Sequence, residues 1–168
     1  MRTELDNTLV LKENLSAVMQ RLLDLLREIL ATIHEERIVL GYDEIHQIKD
    51  ILSRRQELLS VFDQGSKDFV DHLHQMTEDL VHEFSLTEGL EWLQKYLEAE
   101  DVELLLLCEQ LVRAGQEMQR ETQTLISVLE HKSAFGSQLN SYFTKIIPKP
   151  ARVAIGLADE DEDDHLSG

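Results

Sequence analysis

The sequence predicts an all-α fold, and three observations carry that prediction. Apolar residues recur at alternating steps of three and four over long stretches, the spacing of one helix face. Both prolines of the 168-residue chain, Pro148 and Pro150, lie near its C-terminal end, so nothing before them breaks a helix on that ground. No run of alternating apolar and polar residues is bounded by turn signals, as a strand would be. The expected architecture is an elongated antiparallel helical hairpin, a short helix, a third long helix and a disordered acidic tail. Residues 1–147 form the helical domain and 148–168 the tail.

The first helix is expected from about Leu5 to Leu40. Leu11, Leu15, Val18, Leu22, Leu25 and Ile29 mark its stripe, and Met19, Leu26, Leu30 and Ile33 widen it. A stripe that wide suits a helix packed against two neighbours. Gly41-Tyr42-Asp43 then ends the pattern, with glycine as the stop and Asp43 as an acceptor for the next helix's free N–H groups.

The second run is strict. Ile45, Ile48, Leu52, Arg55, Leu59, Phe62, Ser66, Phe69, Leu73, Met76 and Leu80 follow one three-four alternation, so one seam is expected for the whole stretch. Gly65-Ser66 is its weak point, where a kink or a restart of the helix is expected. Arg55 is an anomaly at a seam position. Either its stem covers the seam while the guanidinium reaches water, which is the expected arrangement, or it pairs with a carboxylate of another helix.

Ser85 followed by Glu88 has the form of a capping box. Leu86, Leu90, Leu93 and Leu97 then give a short amphipathic helix, with Trp92 and Tyr96 on an adjacent stripe. The last long helix runs through Leu104, Cys108, Leu111, Gly115, Met118, Thr122, Leu125 and Leu129, and Phe135, Leu139, Tyr142, Phe143 and Ile146 continue its spacing. Leu105, Leu106, Leu107 and Val112 exceed what one seam uses. Residues 159–164 are six consecutive acids, which repel one another and are expected to stay solvated.

Charge narrows the function. Sixteen Lys and Arg stand against thirty-three Asp and Glu, a formal charge of −17. That balance opposes nucleic acid, whose phosphates need clustered cations, and opposes an anionic membrane surface. The longest apolar run, Leu104 to Cys108, is far too short for membrane insertion. The first residues carry two acids and no apolar stretch, so a secretory signal is not expected. Cys108 is the only cysteine, expected as a buried structural thiol. A cytoplasmic location is the default.

No enzyme is expected, and no cofactor. Asp43/His46, Asp71/His74 and Asp79/His82 share an Asp-x-x-His spacing, and His74, Glu78 and His82 share one helix face. A bundle metal site needs such groups pointing inward. These flank the seam, so no metal site is expected. Leu125, Ile126 and Leu129, extended by Phe135, Leu139, Tyr142 and Phe143, form the candidate partner-binding surface. An apolar helix face of this kind can complete a partner's helical bundle, and the high charge keeps such a face in solution.

The chain resembles FlgN-type flagellar export chaperones. The resemblance rests on Glu35-Glu36 at the end of a long amphipathic helix, the turn Gly41-Tyr42-Asp43, and Ile51-Leu52-Ser53-Arg54-Arg55-Gln56-Glu57-Leu58-Leu59, with Leu125-Ile126 and the Leu139/Tyr142 spacing later on. It departs from the family at Glu121-Thr122, where asparagines are expected, around Trp92 and in the tail. The resemblance implies a small, acidic, cytoplasmic, helical chaperone without ATPase activity. Such a protein binds the terminal helix of a secreted partner, a flagellar hook-associated protein or a type III secretion substrate, and delivers it to the export gate or export ATPase complex. It also implies that the C-terminal helix carries most of the binding and that Tyr142 matches a tyrosine used at the gate. The alternative is a structural coiled-coil protein that self-associates, as a homodimer for instance, or scaffolds another assembly.

Overall fold

The protein was analysed as a computed structural model, which describes the backbone of residues 2–42, 44–76 and 84–146 and the side chains of most of these up to Ser133. Among the described residues there are no strands, and the fold is all-α. Four helices follow in order: α1 (Arg2–Gly41), α2 (Ile48–Met76), α3 (Leu86–Tyr96) and α4 (Val102–Ile146), with a 3-10 turn at Ile45–Gln47 before α2. The chain divides into two units, Met1–Thr124 and Leu125–Gly168.

Within the first unit α1 and α2 form an antiparallel hairpin. The turn begins as expected after Gly41: Tyr42 N–H donates to Ile38 O at 3.2 Å and Glu44 N–H reaches back to Val39 O at 3.1 Å. The second of these is the six-residue closure typical of a helix C-terminus. Asp43, the expected cap, lies outside the described residues, as do Glu78, Leu80, His82 and the tail at 148–168.

Two glycines set how closely the helices approach. A Cβ on Gly65 would stand 3.0 Å from Leu22 Cδ2, and one on Gly89 would stand 2.9 Å from both Phe69 Cε1 and Leu73 Cδ1. Gly65 thus lets α1 press on α2, and Gly89 lets α3 press on α2. The helix does not stop and restart at Gly65-Ser66. α2 runs unbroken from Ile48 to Met76, and Ser66 Oγ donates to Phe62 O at 2.9 Å within the helix.

The same close contact corrects the α2 seam. With position 65 facing α1, the inward stripe before it is the buried Ile51 with the half-buried Arg55, Leu58 and Phe62. Leu52 and Leu59, expected in the seam, are 46% and 38% exposed. From Phe69 onward expected and observed stripes coincide, and Phe69 and Leu73 are fully buried. A straight helix has 3.6 residues per turn, so a strict seven-residue pattern drifts about 20° per heptad off any one partner.

α3 begins on the expected capping box. Ser85 N–H donates to Glu88 Oε2 at 2.8 Å, and Glu88 N–H donates to Ser85 Oγ at 3.3 Å. The Ser85 N–H, together with its hydroxyl, holds the Glu88 carboxyl below its ordinary pKa. Leu90, Leu93 and Leu97 then face inward.

The main core gathers Leu15, Met19, Leu22, Leu23 and Leu26 of α1 with Phe69 and Leu73 of α2, Leu90 and Leu93 of α3, and Leu104, Leu107, Cys108 and Leu111 of α4. Fully burying each of these large side chains is worth about 1.5–3 kcal/mol. α1 and α4 run parallel here. Lys12 Nζ grips both carboxylate oxygens of Asp101 at 2.7 and 2.9 Å, and Ser16 Oγ meets Glu103 at 2.8 Å. Further along both helices Arg37 Nη1 meets Glu121 at 2.7 Å.

Candidate functional site

The α4 segment in the second unit is a single helix among the described residues. One helix cannot bury its own apolar stripe, and most helical stability in proteins comes from packing such a face against a neighbour. Of the candidate partner-binding residues, Ile126 and Leu129 are 41% and 40% exposed, whereas Leu125 is buried at 5% and offers no surface. Ile126 and Leu129, one turn apart, form the exposed pair. Phe135, Leu139, Tyr142 and Phe143 lie on α4 by their backbone, and their side chains lie outside the described residues.

Near the hairpin turn α1 places Thr32, Glu36 and Arg37 on neighbouring turns, and these reach two different helices. Arg55 of α2 does not extend to water, contrary to expectation. Its side chain is only 15% exposed, and Nη1 stands 2.6 Å from Glu36 Oε2. Its Nε donates to Thr32 Oγ1 at 2.8 Å and its Nη2 to Thr32 O at 2.9 Å. Thr32, itself 1% exposed, donates its hydroxyl proton to Ile29 O at 2.7 Å. Glu36 is 4% exposed. Its Oε2 receives Arg55's charge but no aligned N–H. Beside this pair Arg54 meets Glu35, an exposed bridge. On α1's other side Glu121 of α4 accepts from Arg37, with His34 Nδ1 3.8 Å away. The acidic pair Glu35-Glu36 and the basic pair Arg54-Arg55 are therefore complementary across the hairpin. The sequence signal was present, since Arg55 breaks an otherwise apolar seam, but the spacing could not say which carboxylate answers it.

An apolar groove of about 550 Å³ lies within the first unit, lined by Leu26, Phe62, Leu90, Leu111, Val112 and Met118, with Glu91, Gln94 and Gln119 among its polar lining. Sequence spacing did not reveal it, because its lining is drawn from all four helices.

Cys108 is fully buried, and burial pushes its thiol up to about 11. That is the structural thiol expected, a poor nucleophile at neutral pH. Among the described residues no three His, Cys, Asp or Glu side chains converge as metal ligands would. His74 stacks on Phe84 with ring centroids 6.1 Å apart. His72 Nδ1 lies 2.6 Å from Asp68 O, one turn back. Trp92 and Tyr96 stack on each other at 4.7 Å. Among the described residues no helix is long and apolar enough to cross a membrane.

The described residues present an exposed apolar pair on α4, an apolar groove and a buried polar layer. Compared with protein-family models, with curated proteins and with solved structures, the chain matches none.

Proposed function

We propose that this protein is a non-enzymatic export chaperone. It carries an amphipathic helix from the terminus of a secreted partner, of the flagellar hook-associated or type III class, and brings it to the export apparatus from the cytoplasm. The observation that supports this most is the exposed pair Ile126 and Leu129, on a helical segment that has no second helix in its own unit among the described residues. A partner helix laid along it would bury that pair as a/d-type anchors. The net charge of −17 supports the same reading, since it opposes self-association while such a face waits for its partner. The family resemblance along residues 117–142 supplies the partner class.

Titration calorimetry with purified terminal segments of hook-associated proteins tests this. One segment should bind with one-to-one stoichiometry. Ile126→Asp with Leu129→Asp should weaken it at least tenfold while circular dichroism and the melting temperature stay at the parent's values. Tyr142→Ala should retain binding and impair delivery. If no segment binds and the parent sediments as a dimer that the double variant dissolves, the helix is a self-association surface and the chaperone reading is wrong.

A further inference from the structure

We infer that the buried layer of Thr32, Glu36 and Arg55 is a register lock, the device that selects one pairing of α1 with α2 among pairings the leucine pattern leaves nearly equivalent. Leucine-type seams repeat every seven residues, so away from the close Gly65–Leu22 contact an antiparallel hairpin can slide by one heptad and still present apolar side chains to apolar side chains. The short turn opposes such a slide only weakly, because helix ends can wind and unwind by a turn around it.

The polar layer does not tolerate the slide. In the observed register Arg55 spends Nε and Nη2 on the hydroxyl and carbonyl of Thr32 and brings Nη1 to 2.6 Å from Glu36. Moved one heptad in one direction, Arg55 would face Leu25 and Ile29, and Thr32 would face Ile48. Moved the other way, Arg55 would face Val39 and the turn residue Asp43, while Thr32 and Glu36 would face Phe62. The first slip buries both Glu36 and Arg55 without a counter-charge, and the second leaves Glu36 against Phe62 even though Arg55 reaches the level of Asp43; an uncompensated buried charge is far more expensive than a misplaced leucine. The lock discriminates by penalising the wrong pairings more than by strengthening the right one. Glu36 is 4% exposed and its Oε2 lacks an aligned donor even in the native register, which marks a group kept for specificity at the expense of stability. Arg37 of the next α1 position holds Glu121 of α4, so the height of α4 on α1 is fixed at the same level.

Distance measurement between spin labels tests the lock. Labels are placed through Glu28→Cys and Ser60→Cys, exposed positions at matching heights on α1 and α2, in the full chain carrying Cys108→Ala. The parent should give one narrow distance. Glu36→Leu combined with Arg55→Leu should keep the helix content and a melting temperature at or above the parent's, and add a second population displaced by about 10 Å along the axis, one heptad of rise. A single unchanged distance in that variant overturns the proposal, whatever its stability. Should the variant fail to fold, Arg55→Phe with Phe62→Arg moves the cation by one heptad. The lock then requires the whole distance distribution to move, and retention of the native distance overturns it.

Discussion

Between Leu15 and Leu26, α1 buries leucines and a methionine in a cluster shared with α2, α3 and α4; between Thr32 and Leu40, the same helix buries a threonine and a carboxylate beside its apolar residues. The first region is close-packed hydrocarbon, with glycines at 65 and 89 that let backbones approach. The second carries a guanidinium, a carboxylate and a hydroxyl in mutual contact. Hydrocarbon packing supplies stability without naming a partner, because one leucine fits opposite another almost anywhere along a seam. The polar end supplies less stability and far more discrimination. Opposite demands are met on one continuous helix by placing them two turns apart.

The largest blow to the first region is Phe69→Ala. Phe69 is fully exposed to neighbours and not at all to water, and its ring lies against the position a Gly89 side chain would take. Loss of the ring leaves a cavity between α2 and α3 and should lower unfolding stability by about 3–5 kcal/mol in urea titration. A loss under about 1 kcal/mol would show that α3 collapses into the space and that the core is looser than its burial implies.

Thr32→Val probes the second region with almost no change of volume. It leaves Arg55 Nε without its 2.8 Å acceptor in a place water barely reaches. A loss of about 1–3 kcal/mol is expected for the orphaned donor, again by urea titration. An equal substitution of shape in the leucine region would be nearly silent. A neutral Thr32→Val would erase the distinction drawn between the two ends.

The smallest effect concerns acid. Two hydrogen bonds from Lys12, with a further one from the Glu98 N–H, hold the Asp101 carboxyl below its ordinary range, against the opposing effect of burial. A carboxyl with a depressed folded pKa contributes stability at neutral pH and loses it as pH falls through that lowered value. Melting temperature should therefore decline below the ordinary carboxylate range, and Lys12→Met should flatten that decline by about 1 kcal/mol or less. An unchanged acid profile in Lys12→Met would remove this bridge from the account of how α1 meets the start of α4.

How much of this was legible in the sequence follows the same divide. The leucine region could be read nearly residue by residue: Leu15 and Leu22 on α1, Leu90 and Leu93 after the Ser85/Glu88 box, Leu104, Cys108 and Leu111 on α4. Each is apolar on a periodic face and can only go inside. The first half of α2 was misread because Leu52 and Leu59 fit a heptad as well as Ile51 and Leu58 do. What separates them is Gly65 against Leu22, a contact between residues 43 positions apart in the chain. Arg55 was visible as an exception yet assigned to water, since its partners Thr32 and Glu36 lie on the other arm of the hairpin. On α4 the pattern placed Leu125, Ile126 and Leu129 on one patch, whereas Leu125 is buried and the other two are exposed. Periodicity states which face is apolar; only the neighbouring helix states where that face stops.

The burial of Cys108 gives the molecule an internal clock. With its thiol pushed up to about 11 by burial, far fewer molecules hold the reactive thiolate at pH 7 than for an ordinary cysteine. Alkylating reagents must also wait for the core around it to open before they reach it. Its rate of modification therefore counts how often the centre of the bundle opens, in the way amide exchange counts local unfolding. The chain holds a single cysteine, so the count needs no added label and reports on one place.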